Sequence, residues 1–165
     1  MVKQMWTGRT PNGLVPSVRA LPYTTGQTFV KGDILKQTAG LLVISPATPI
    51  AGVVGIALQD VATNPGYLAA NSPATSTGLQ QTVSVAMADN VTEFVAKFTN
   101  GSAVYIAPAN TDIGVSYGVT VQNGVWTVDK AKVTVGTNTT VVITGVDITN
   151  QFVYFKFLAS VIAGE

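Results

Sequence analysis

The sequence predicts an all-β protein: a small β-barrel or β-sandwich preceded by an extended N-terminal arm. Three observations carry that expectation. The 165 residues include 25 Val and 22 Thr against 9 Leu. β-branched side chains suit a pleated surface and lose rotamer freedom in a helix. Apolar residues recur with a period of two, and no window sustains a period of 3.6. Turn-forming pairs fall between the alternating runs, as in barrels and sandwiches built from many short strands.

Residues 1–28 read as the arm. They hold Pro11, Pro16 and Pro22, which disfavour a helix interior or a central strand. They also hold Lys3, Arg9 and Arg19 with two large aromatics, Trp6 and Tyr23, and no acid precedes Asp33. Trp and Tyr are unusual in a solvated tail, so these residues read as anchors for another surface.

Residues 29–165 read as one β-domain. Gly40 separates a strand at Asp33–Thr38 from one at Leu41–Ser45. The run from Ile50 to Leu58 is apolar throughout, and Gly52 and Gly55 inside it mark a bulge or a close backbone approach in a buried strand. Residues 63–81, rich in Pro, Ser, Thr and Asn, read as a long surface loop. Phe94, Ala96 and Phe98 alternate with Val95, Lys97 and Thr99 in the next strand. Asn100-Gly101 then suggests a hairpin to Ala103–Ala107. Asn123-Gly124 joins Tyr117–Gln122 to Val125–Val128, and this pair supplies the positive φ angles of a type I′ turn. Gly136 and Asn138 divide Lys132–Val135 from Thr139–Thr144. In the last strand Val153, Phe155, Phe157 and Ala159 form an apolar face directed at the core, opposite Phe152, Tyr154, Lys156 and Leu158. No internal repeat is evident.

Composition removes many chemistries. Without Cys or His there is no zinc finger, haem ligand, iron–sulfur cluster or disulfide, and no Ser–His or Cys–His pair. Charged residues make up 10% of the chain, and the net charge is +1. That balance offers no basic face for nucleic acid. The longest apolar run is too short to span a membrane, and the N-terminus has no secretory stretch. Asp89 and Glu93 are the one close acidic pair. They read as a turn before a strand rather than as a glycosidase pair, and their spacing does not match a calcium loop. No catalytic residue, metal site or cofactor is expected.

The stretch FVKGDILKQTAGLLVISPATPIAGVVGIALQDV, residues 29–61, resembles the opening of tailed-bacteriophage head decoration proteins, also called capsid cement proteins. The resemblance lies in Lys31-Gly32-Asp33-Ile34-Leu35-Lys36 and in Gly55-Ile56-Ala57-Leu58 with Asp60. It continues in Val141–Asp147 and in Val153–Val161, similar to the strand that closes members of that family. It implies a structural virion protein on the outer surface of an assembled capsid, with the major capsid protein as partner. It also implies homotrimers at threefold or quasi-threefold positions, and no enzyme activity. Lys3, Trp6, Arg9, Arg19 and Tyr23 would then form a capsid-binding arm. The alternative is a carbohydrate-binding or host-adhesion module, for which Trp126 with Gln122 and Asn123 is the best candidate cluster.

The charge balance also has a direction along the chain. Lys3, Arg9, Arg19 and Lys31 all precede the first acid, which leaves five basic against eight acidic residues from Asp33 onward.

Overall fold

The computed structural model describes residues 6–7, 15–24, 26–49, 51–61, 82–134 and 137–163. Eleven strands follow in order: β1 (Trp6–Thr7), β2 (Val18–Pro22), β3 (Ile34–Thr38), β4 (Leu41–Ile44), β5 (Val53–Ala57), β6 (Thr82–Met87), β7 (Phe94–Thr99), β8 (Ser116–Gln122), β9 (Val125–Asp129), β10 (Val141–Asp147) and β11 (Phe152–Phe157). Two single 3₁₀ turns, Asn110–Asp112 and Ala159–Val161, complete the described structure. The all-β class is therefore as the residue choice requires.

The strands form two rings. In the C-terminal ring the order is β7-β11-β10-β8-β9, all antiparallel, and β9 closes back on β7 in parallel through Lys97–Thr99 and Thr127–Asp129. β1 adds to β7 beside this closure, with Trp6 opposite Val95 and Thr7 opposite Phe94. In the N-terminal ring the order is β2-β6-β5-β3-β4. A parallel bridge between Tyr23 and Leu42, with the Thr24 N–H donating to the Leu42 carbonyl at 3.0 Å, joins β4 back to β2.

Numbering the strands within each ring, both run first–fifth–fourth–second–third–first, with the same parallel closure. The chain is thus one five-stranded topology used twice. Both second–third hairpins turn on two residues with positive φ: Ala39 (50°) and Gly40 (83°), and Asn123 (50°) and Gly124 (76°). These are type I′ geometries, which match the strand twist. Sequence alone hides the repeat, because Ala39-Gly40 and Asn123-Gly124 share a conformation and a single glycine.

The two cores explain the apolar pattern. Tyr23, Phe29, Leu35, Leu42, Val83 and Val85 fill the N-terminal ring. Phe94, Phe98, Trp126, Ile143, Phe155 and Phe157 belong to the larger cluster of the C-terminal ring. Ile34, Val53, Ile56 and Ala86, from the other face of β3, β5 and β6, join that second cluster. All five residues of β5 are buried, since one face lines its own ring and the other packs on its neighbour. A strand covered on both faces reads as a continuous apolar run, which accounts for Ile50–Leu58. Gly55 is needed there: a Cβ would lie 2.0 Å from the Ala86 carbonyl oxygen. The register shift between Leu35 and Lys36 places the expected bulge on the same strand.

Four sequence expectations are corrected. Val18–Pro22 is a sheet strand and Tyr23 is buried, so the body begins before residue 29. Pro22 is tolerated because β2 pairs with β6 on one side and its missing N–H faces the other. Ala103–Ala107 is not a strand. β9 holds one edge of β7 and β11 takes the other as far as Lys97, so the segment keeps only an isolated Thr99–Tyr105 bridge, with the Ile106 N–H donating to the Phe98 carbonyl. Lys132–Thr134 is likewise no strand; the segment turns back, with the Thr137, Asn138 and Thr139 N–H groups all donating to the Thr134 carbonyl. Finally, Ala159 opens a 3₁₀ turn and is exposed, so the inward alternation of β11 ends at Phe157. The loop at 63–81 lies outside the described residues.

Candidate functional site

The five proposed arm residues do not form one cluster. Lys3 and Arg9 lie outside the described residues. Trp6 is placed by its backbone on the edge of β7. Arg19 stands exposed on β2 and makes no ion pair among the described residues. Tyr23 is only 4% exposed and packs edge-to-face on Phe29, ring centres 5.6 Å apart. Burial also raises the pKa of its hydroxyl. A side chain so placed holds the N-terminal ring together and is not available to anchor on another surface.

The carboxylates have structural work. Asp89 Oδ1 accepts the Val91 and Thr92 N–H groups and closes the turn before β7. Asp60 accepts the Lys31 N–H, and Asp129 Oδ1 accepts those of Gly101 and Ala131. Asp147 accepts the side-chain and backbone N–H groups of Asn150, which lower its pKa in that order of weight. Asp33 Oδ2 accepts the Val30 N–H. The Asp89–Val91 and Asp129–Ala131 contacts are Asx turns, which stabilise loops that have no ladder of their own. Glu93, the other member of the acidic pair, is buried at the threshold of β7. Among the described residues no group of three or more Asp or Glu side chains could hold a metal ion. No described helix is long and apolar enough to cross a membrane.

One buried polar cluster was not legible in the sequence. Asp112, 2% exposed, accepts the Ala109 N–H at 2.8 Å, the Tyr117 hydroxyl at 2.7 Å and the Lys130 ammonium at 2.9 Å. Burial pushes its carboxyl upward, but these three donors outweigh that and hold it below the usual range. Burial, then the hydrogen bond and the charge of Asp112, push Tyr117 up to about 12. The cluster ties the 3₁₀ turn to β8 and to the residue after β9. It closes one end of the C-terminal ring and leaves no open ligand position on Asp112 Oδ1.

Trp126 has a different place from the one a glycan platform needs. It is 1% exposed, and its Nε1–H donates to Asp33 Oδ1 at 3.0 Å. The stacking face that the carbohydrate alternative requires is therefore inside the protein. The rings are clasped further by Lys132 Nζ to Thr48 Oγ1 at 2.6 Å and by the Ala163 N–H to the Val53 carbonyl at 2.7 Å. Desolvation lowers the pKa of Lys132.

Surface features among the described residues include the polar and aromatic side chains on β7 and β11 and the outer edge of β2. Lys97 Nζ lies 4.0 Å from the Phe152 ring centre and 5.5 Å from that of Tyr105, and donates to the Asn150 carbonyl. Val15 and Val18 beside β2 are 86% and 51% exposed. No protein-family model matches the chain, and no curated protein matches it either.

Proposed function

We propose that this chain is a structural virion protein that binds the outer surface of an assembled phage capsid and stabilises it. The observation that carries the reading is where the resembling segments fall. Lys31–Lys36 and Gly55–Asp60 overlap the paired strands β3 and β5, and Val141–Asp147 and Val153–Val161 overlap the paired strands β10 and β11. Segments far apart in sequence thus each supply a neighbouring pair of strands to a ring, the second and fourth strands of one and the fourth and fifth of the other, as expected if the likeness concerns the whole β-body.

Within that body the motif residues have clear tasks. The Gly32 N–H donates to the Ala57 carbonyl at 2.8 Å, and Asp33 binds the turn before β3 and the indole of Trp126. A protein that binds the assembled lattice better than loose subunits stabilises the shell by linkage. Two or three modest contacts per oligomer suffice, because each raises the effective concentration of the next. Lys3, Trp6, Arg9 and Arg19 are the proposed contacts with the major capsid protein. Homotrimers at threefold or quasi-threefold positions supply the multivalency. Purified protein added to undecorated capsids should cosediment saturably and raise their disruption temperature. Protein that stays in the supernatant at micromolar concentration would end this reading.

A further inference from the structure

Before the ring closure at Tyr23, β2 is bonded on one side only, to β6. The Met87 N–H donates to the Ser17 carbonyl at 2.8 Å, and Arg19 and Leu21 stand opposite Val85 and Val83. In an antiparallel ladder the bonding direction alternates. The backbone groups of Ser17, Arg19 and Leu21 therefore face β6, and those of Val18, Ala20 and Pro22 face outward. Pro16 has the same outward parity. Pro16 and Pro22 carry no N–H, so the edge offers outward donors at Val18 and Ala20 alone, framed by two prolines.

The C-terminal ring shows what such an edge accepts. Its first strand, β7, carries the two-residue strand β1 on the edge just before the ring-closing partner begins. Aligning the rings by their two-residue turns puts Leu42 at the place of Trp126 and Pro22 at the place of Val95. The proline denies the N-terminal ring a strand in that register and moves the available slot upstream to Val18–Ala20. That slot is exposed, begins with apolar Val18 and is preceded by exposed Val15. Arg19, at its centre, has no ion pair among the described residues.

We propose that the β2 edge is a docking site for a short extended, acidic segment of a partner protein, added as an extra strand. Charge argues against a second copy of β2. Antiparallel self-pairing between the two prolines would set Arg19 opposite its own twin, and like charges directly opposite are unfavourable. A partner strand with Glu or Asp opposite Arg19 meets both the hydrogen-bond and the charge demand. The identity of the partner as the capsid subunit rests on the reading above, whereas the edge itself can be tested alone.

The test uses the full-length protein, hydrogen exchange, and two labelled peptides, acetyl-Thr-Glu-Val-Glu-Val-Thr-amide and its Lys-for-Glu counterpart. In dilute protein the Val18 and Ala20 amides should exchange freely while Arg19 and Leu21 are protected. The acidic peptide should protect Val18 and Ala20, and the Lys peptide should bind about tenfold more weakly. Val18→Pro removes one outward donor without touching the β6 ladder and should abolish peptide binding. Arg19→Glu should reverse the peptide preference and guards against a folding defect in the proline variant. Protection of Val18 and Ala20 in the dilute protein would overturn the proposal. So would protection that rises with protein concentration, which would place a second copy there. Equal binding of both peptides would also overturn it. Failure of the protein to bind capsids, with these peptide results intact, would remove the capsid reading and leave the docking edge.

Discussion

The indole Nε1 of Trp126 donates to Asp33 Oδ1 at 3.0 Å, and both residues are buried. This bond crosses 93 positions of sequence and joins the hairpin of one ring to the residue before β3, the second strand of the other. Trp126→Phe keeps the apolar body but takes a donor from a buried carboxylate. It should lower stability by about 1.5–3 kcal/mol, the range for hydrogen bonds to charged groups. Urea denaturation followed by fluorescence of Trp6 or by circular dichroism measures the loss. A change of a few tenths of a kcal/mol would mean that the rings do not depend on this bond.

Acid should weaken the protein partly through Asp112. Its pKa is lowered in the fold, so its contribution is complete above the unfolded value near 3.8 and is lost as pH falls through the lower folded value. Tyr117 works in the opposite direction. Raised to about 12, it contributes fully below the model-compound value of 10.0 and loses its contribution as pH climbs through 12. Asp112→Asn should therefore flatten the acid limb of midpoint against pH below the ordinary carboxyl value of 3.8. An unchanged acid limb would assign that limb to other groups.

Truncation separates arm from body. Removing residues 2–14 spares β2 and Tyr23, so the protein should keep a cooperative melt while capsid binding falls. Removing residues 2–25 deletes β2 and a buried aromatic whose loss alone costs about 3–5 kcal/mol. That protein should be unfolded or severely destabilised by circular dichroism. Equal melting temperatures for the two truncations would contradict the placement of β2.

The turn at Ala39 gives a stabilising substitution. Ala39 holds φ at 50°, as Asn123 does in the matching turn. The left-handed region costs a non-glycine residue about 1–2 kcal/mol, and Asn tolerates it better than Ala. Ala39→Asn should raise stability by about 0.5–1 kcal/mol. Gly55→Ala tests the opposite case and should cost about 1–3 kcal/mol, because β5 and β6 cannot separate to admit the Cβ. Both are read from denaturant midpoints.

Several features were legible in the sequence because their causes are local. The Asn123-Gly124 turn follows from backbone preference, the β7 and β11 faces from two-residue alternation, and the continuous apolar run around Gly55 from burial of β5 on both sides. Features that depend on distant pairing were not. Tyr23 resembles an arm anchor until β4 closes the ring around it. Ala103–Ala107 resembles a hairpin strand until β11 takes that edge of β7. The double use of one topology leaves no residue signature, because ring closure depends on strand order and not on shared side chains. Of the arm residues, Arg19 alone is both described as exposed and unpaired among the described residues, and its place on a strand edge is what gives it a specific proposed use.

The most direct measurement of the central claim is cryo-imaging of capsids with and without the purified protein. The capsid-stabilising account requires added density on the outer surface at local threefold or quasi-threefold positions, large enough to hold both rings of each subunit. Density confined to the tail, or none on the shell, would contradict it.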